Sequence, residues 1–90
     1  MEYEWDPKKA VANVQNHNVT FQEAATVFGD PLAITFEDPD HSKDEKRYIT
    51  FGLSLRKILL VVSHTERAYR TRIISARLMD RKERKIYEEG

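Results

Sequence analysis

The spacing of hydrophobic residues changes partway along this chain. Between residues 7 and 28 they recur every three or four positions, as Ala10, Val11 and Val14 and then as Phe21, Ala24, Ala25 and Phe28. That period predicts two short helices. Asp6 before Pro7 is a start signal, because the carboxylate accepts from first-turn amides and proline at the first helical position forfeits no hydrogen bond. The first helix is expected over residues 7–17, ended by Asn16–Asn18. Thr20 and Glu23 stand at capping-box spacing for the second, and Gly29 is expected to stop it in the left-handed conformation, with Asp30 and Pro31 marking the exit.

From Leu32 the period shortens to two. "LAITFEDP" and "RYITFGLS" are rich in Ile, Thr, Phe and Tyr and read as strands, separated by the acidic loop "EDPDHSKDE". "KILLVVSH" is apolar on both parities, with Ile58, Leu60 and Val62 on one face and Leu59 and Val61 on the other, which marks a central strand covered on both sides. "RTRIISARL" follows as the last strand. The connectors "SLRK" and "TERAY" are short enough for hairpins, so the sheet is expected to be antiparallel. Asp80 and Glu83 repeat the capping spacing and open a helix from Arg81 to Glu89, whose main apolar side chains are Ile86 and Tyr87. The pattern predicts an α+β domain spanning residues 1–90, with two N-terminal helices, a four-stranded antiparallel meander and a C-terminal helix. Residues 1–5 are a candidate edge strand, and Gly52 is read as a strand-end or turn glycine.

Composition narrows the chemistry. Ninety residues support one core. There is no cysteine, which excludes disulfides, thiol catalysis and thiolate metal sites and suits a reducing cytoplasm. "MEYEWDPKK" carries no signal-peptide pattern, and no apolar run approaches the roughly 18 residues of a membrane span, so a cytoplasmic protein is expected.

The formal charge is zero, yet it is divided unevenly. Residues 1–45 hold ten acids against three bases, and residues 46–90 hold twelve bases against five acids. A basic half can neutralise phosphates, while the alternative is a fold that pairs one half with the other through surface ion pairs.

The arginines are the leading candidates for an anion site, since guanidinium groups hold phosphate bidentately. Strict alternation places Arg72 with Ile74 and Ala76, and Arg77 with Ile73 and Ser75, so the two share a cleft only if a bulge or the strand end re-aims one of them. Arg67 and Arg70 lie near the hairpin tip. His64, at the end of the buried strand, reads either as an acid–base group or as a core histidine bonded to a backbone carbonyl. Glu66 beside Arg67 reads as a general base or as a solvated turn pair. His17 and His41 read as a helix-end and a loop residue. Widely separated histidines make a metal site improbable, and neither a P-loop, a G-x-G-x-x-G nor a G-x-S-x-G is present. An Arg, His and Glu set suits metal-free, cofactor-free cleavage of RNA, in which the 2′-hydroxyl attacks the adjacent phosphorus.

"EWDPKKAVANVQNHNVTFQEAATVFGDPLA", "DPDHSKDEKRYITFG" and "LLVVSHTERAYRTRIISAR" followed by "ERKIYE" resemble, in order and spacing, the BrnT family of bacterial type II toxins. The resemblance implies a RelE-like fold, a ribonuclease that inhibits translation and growth, neutralisation by a ribbon-helix-helix antitoxin, and contact of that complex with operator DNA. It implies catalytic roles for His64, Glu66, Arg67, Arg72 and Arg77, and RNA contacts for Arg70, Ser75 and Tyr87. Asn18 stands where the pattern places a glycine, and Gln15-Asn16 where a basic residue often precedes the histidine. The competing expectation is a non-catalytic nucleic-acid or partner-binding module built on the same basic half.

Overall fold

The computed structural model describes residues 2–90 and begins with an element of three residues, β1 (Glu2–Glu4). It is followed by α1 (Pro7–His17), α2 (Phe21–Thr26), β2 (Ile34–Glu37), β3 (Arg47–Leu53), β4 (Leu59–Arg67), β5 (Arg70–Leu78) and α3 (Arg81–Glu89). Single 3-10 turns occupy Val27–Gly29 and Pro39–His41. None of these helices is long and apolar enough to cross a membrane.

β2, β3, β4 and β5 form the expected antiparallel meander, but the sheet has a fifth strand and is mixed. Its order is β1-β5-β4-β3-β2, with β1 parallel to β5. Glu2 stands beside Arg70 and Glu4 beside Arg72 in register, so the acidic N-terminus is recruited by the basic strand. The candidate edge strand is therefore real over residues 2–4, while Met1 lies outside the described residues.

α1 starts and stops where the pattern predicts. The Lys8 N–H donates to Asp6 Oδ1 at 2.8 Å, and Asn18 caps the end with φ of 56°. Asparagine tolerates this left-handed conformation, so it meets the turn's requirement where the resembled pattern has glycine. The expected apolar stripe is not what the helix buries, because Val11 and Val14 are exposed. The buried residue is Asn13. Its amide donates to Val19 O at 2.9 Å and Ala76 O at 2.8 Å, and its Oδ1 accepts from the Ala76 N–H at 3.0 Å. β1 ends opposite Arg72, leaving the edge of β5 without a strand at Ala76. One side-chain amide, with both a donor and an acceptor, satisfies that edge as a strand would.

At α2 only half of the capping box forms. Thr20 Oγ1 accepts from the Glu23 N–H at 3.1 Å, but the Glu23 carboxylate accepts from Ser54 Oγ at 2.7 Å and so ties the helix to the β3–β4 hairpin. Gly29 is not left-handed. Asp30 makes the exit with φ of −76° and ψ of 117°, and its carboxylate accepts from the Leu32 N–H at 2.9 Å and the Leu53 N–H at 2.8 Å. Gly52 is the penultimate residue of β3, at the strand end as read from the sequence, and the 3-10 turn packs against it: a Cβ would meet Val27 Cγ1 at 2.5 Å.

The main core lies between the N-terminal helices and the sheet, around Phe21, Ala24, Val27, Leu60, Val62 and Ile73. A smaller cluster of Phe51, Val61 and Met79 sits on the other face, with Tyr87 of α3 packed against it. β4 is thus covered on both sides, as its double-parity sequence predicts. Asp80 and Glu83 complete a reciprocal capping box at α3.

Candidate functional site: a cationic groove on the sheet

A bulge decides which side chains share this groove. Ser63 pairs with Ser75 and His64 with Ile73, so Ile74 is left over in β5. Before the bulge Arg72 stands opposite Thr65, and after it Arg77 stands opposite Val61. Cross-strand partners share a face, and Thr65 and Val61 have the same parity in β4. Arg72 and Arg77 therefore share a face although five residues separate them, and Ser75, Arg67 and Arg70 lie on it too. His64 and Glu66, of opposite parity, lie on the helix-covered face. The sheet divides the predicted set into two.

Arg67 and Arg72 line a groove of about 310 Å³ together with Lys9, Lys43 and Arg47. The groove carries more positive than negative charge, although Asp44 and Glu45 also line it. Arg67 grips Glu45 bidentately, at 2.9 and 3.1 Å. The hydrogen bond from Arg67 holds the Glu45 carboxyl below its usual range, and Glu45 in turn raises the Arg67 guanidinium. Three guanidinium groups converge on the Glu4 carboxylate: Arg72 at 2.9 Å, Arg70 at 3.7 Å and Arg67 at 3.9 Å.

On the wall of the groove Arg47 and Thr65 face each other across β3 and β4. Arg47 Nε and Thr65 Oγ1 are buried and have no hydrogen-bond partner among the described residues. An unpaired buried donor costs about 1–3 kcal/mol, and here two such atoms belong to register partners that both line a cationic groove.

Arg77 is on the same face but does not line the groove. Its two terminal nitrogens each donate to Glu83 at 2.8 Å, which binds β5 to the start of α3. Tyr87 is also committed elsewhere, its hydroxyl donating to Asp30 Oδ2 at 2.6 Å. That bond pushes the Tyr87 phenol up to about 12, with burial adding to it.

Across the sheet, His64 is 3% exposed and bonded to side chains, not to a backbone carbonyl. Its Nδ1 lies 2.6 Å from Glu66 Oε2 and its Nε2 2.8 Å from Thr50 Oγ1, which is 2.8 Å from Thr35 Oγ1. A carboxylate only accepts, so Nδ1 carries the proton and Nε2 accepts from Thr50. Thr71 donates to the other Glu66 oxygen at 2.7 Å. Phe28 meets the imidazole edge-on at 4.8 Å. Burial lowers the His64 pKa, and Glu66 offsets only part of that effect.

Lys9, His41, Lys43, Arg47, Thr65 and Glu4 belong to the groove or its rim, yet sequence reasoning missed them. Arg47 could have been found by alternation from Ile49 and Phe51, which fixes its parity but not its strand partner. His41 and Lys43 lie in a loop, where no period applies. Among the described residues no three His, Asp or Glu side chains gather as a metal-ligand set.

Comparisons with known proteins agree with this architecture. Residues 5–83 match the family model described as the ribonuclease toxin BrnT of type II toxin–antitoxin systems. The crystal structure of the Brucella abortus ribonuclease toxin BrnT superposes with a TM-score of 0.69 at 20% identity, covering 90% of this chain and 99% of that one. No curated protein matches in sequence. With the family model spanning all but the two ends, this chain belongs to the BrnT family of type II ribonuclease toxins.

Proposed function

We propose that the chain is a metal-independent endoribonuclease that seats one RNA phosphodiester in the cationic groove. The observation that carries this reading is the pair of orphaned buried donors, Arg47 Nε and Thr65 Oγ1, on two residues that line a groove with five cationic side chains. A phosphate oxygen accepting from both would remove their desolvation cost. Arg67 and Arg72 would then stabilise charge as it grows on the phosphoryl oxygens. Glu4 and Glu45 hold these guanidiniums in the free protein, and a phosphate takes over as the better bidentate acceptor. The donor set is guanidinium, ammonium and hydroxyl, which supports chemistry carried by protein groups.

The other residues singled out from the sequence enter this reading in different places. His64 and Glu66 flank Thr65 in the chain and anchor the end of β4 from behind, so they act as positioning residues. Arg77 and Tyr87 fix α3, while Arg70 and Ser75 extend the groove face along β5. The neutralising partner is a ribbon-helix-helix antitoxin in the cytoplasm, whose acidic side chains meet the groove and which brings the pair to operator DNA; the sequence resemblance supports this part.

The test is cleavage of single-stranded RNA by purified protein in EDTA. The wild type should fragment RNA, and Arg47→Ala and Arg72→Ala should each lower kcat/KM by about 10²-fold or more. RNA binding without fragmentation would instead identify a non-catalytic binding module.

A further inference from the structure

We infer that His41, oriented by Asp38, accepts the 2′-hydroxyl proton in the cationic groove. This rests on the groove being the RNA site.

Metal-free RNA cleavage needs a proton acceptor within reach of the seated phosphate. His64 cannot serve there, because it is buried on the opposite face and both of its ring nitrogens are engaged. His17 ends α1 and does not line the groove. The groove's carboxylates are intrinsically weaker bases than imidazole, and Arg67 lowers Glu45 further. His41 is the one histidine lining the groove among the described residues, and its side chain is 61% exposed.

Its orientation is built into the loop. His41 Nδ1 lies 2.8 Å from Asp38 Oδ2. The carboxylate can only accept, so Nδ1 carries the proton and the lone pair is at Nε2. No hydrogen bond engages Nε2 among the described residues. The turn is tied to the orphaned arginine itself: Asp38 N–H donates to Arg47 O at 2.7 Å, and Arg47 N–H donates to Ser42 Oγ at 3.0 Å. Ser42 Oγ also donates to Asp38 O at 2.5 Å. The imidazole and the phosphate seat are thus held by one hydrogen-bonded loop.

In the step itself, Nε2 takes the proton from the 2′-hydroxyl as the O2′–P bond forms and the P–O5′ bond breaks. Asp38 stabilises the resulting imidazolium, as a carboxylate does in other carboxylate–histidine pairs. Solvent water protonates O5′, and the hydroxide left behind is neutralised when His41 releases its proton. The products are a 2′,3′-cyclic phosphate and a 5′-hydroxyl.

The test compares wild type, His41→Ala and Asp38→Asn on single-stranded RNA in EDTA, with binding measured on the 2′-deoxy strand, which cannot be cut. His41→Ala should lower kcat by about 10²-fold or more while leaving the affinity for the deoxy strand unchanged. Added imidazole should restore part of that rate, which a purely structural loss would not allow. Asp38→Asn should give a smaller loss of the same kind. A His41→Ala protein that cuts at the wild-type rate, or whose loss tracks weakened binding and ignores imidazole, overturns the role of His41 while the groove reading stands. A wild type that binds the strand and cuts nothing overturns both.

Discussion

Arg47 and Thr65 stand opposite each other in register across β3 and β4, both line the same groove, and each carries a buried polar atom with no partner among the described residues. A protein keeps such a pair at a cost in stability. Thr65→Val removes one orphan while keeping the shape. It should leave thermal stability unchanged or raise it by up to about 1 kcal/mol, while weakening RNA binding about fivefold or more. Parallel melting and binding curves check this. A variant that is less stable and binds normally would show that the hydroxyl serves the fold.

Buried, bonded at both nitrogens and lowered by desolvation, His64 makes folding sensitive to acid. In the folded state the imidazole resists protonation, whereas in the unfolded chain it takes a proton near the ordinary value of about 6.5. The unfolded state therefore binds more protons below that pH, so stability is full above about 6.5 and falls as pH drops through and below it. Melting temperatures of the wild type should decline from pH 7 to 5 more steeply than those of His64→Gln. Asp30, Glu45 and Glu83, all held below their usual range, lose their contributions only at lower pH. Equal slopes for the two proteins would exclude His64 as the source.

Tyr87 and Asp30 join α3 to the helix–strand junction at 2.6 Å, and the phenol is pushed up to about 12. A raised phenol stabilises the fold fully below the ordinary value of about 10, and that contribution is lost as pH rises toward 12. Absorbance titration should show Tyr87 ionising late, alongside Tyr3, which burial and then Glu66 also raise, and Tyr87→Phe should remove only the Tyr87 share of that late phase. The same substitution should destabilise the protein by about 1 kcal/mol, since Asp30 keeps its two backbone donors.

How much of this was legible in the sequence varies with the kind of signal. Period and caps are local, so the limits of α1 and α3, the double-sided burial of β4 and the hairpin pairing could be read from residues near each element. The fifth strand was legible only as a candidate edge strand at residues 1–5; its parallel place beside β5 was not, because the pairing of Glu2 and Glu4 with Arg70 and Arg72 spans nearly the whole chain. Nor was the burial of Asn13, which answers an edge of β5 that exists only once β1 stops short. Arg67 and Arg72 were visible as candidates for an anion site by residue type alone. That His64 and Glu66 face away from them depends on parity within β4, which the chain does state. That Arg72 and Arg77 share a face depends on a bulge at Ile74, which it does not. His41 and Arg47 became candidates only when the loop was seen folded onto the groove.

The most direct measurement is the structure of the protein bound to a short 2′-deoxy or 2′-O-methyl oligonucleotide. The scissile phosphate should lie in the groove, with one oxygen accepting from Arg47 Nε and Thr65 Oγ1, and with Arg72 released from Glu4. A strand bound instead across the His64 and Glu66 face, with the Arg47–Thr65 pair still unoccupied, would contradict the account.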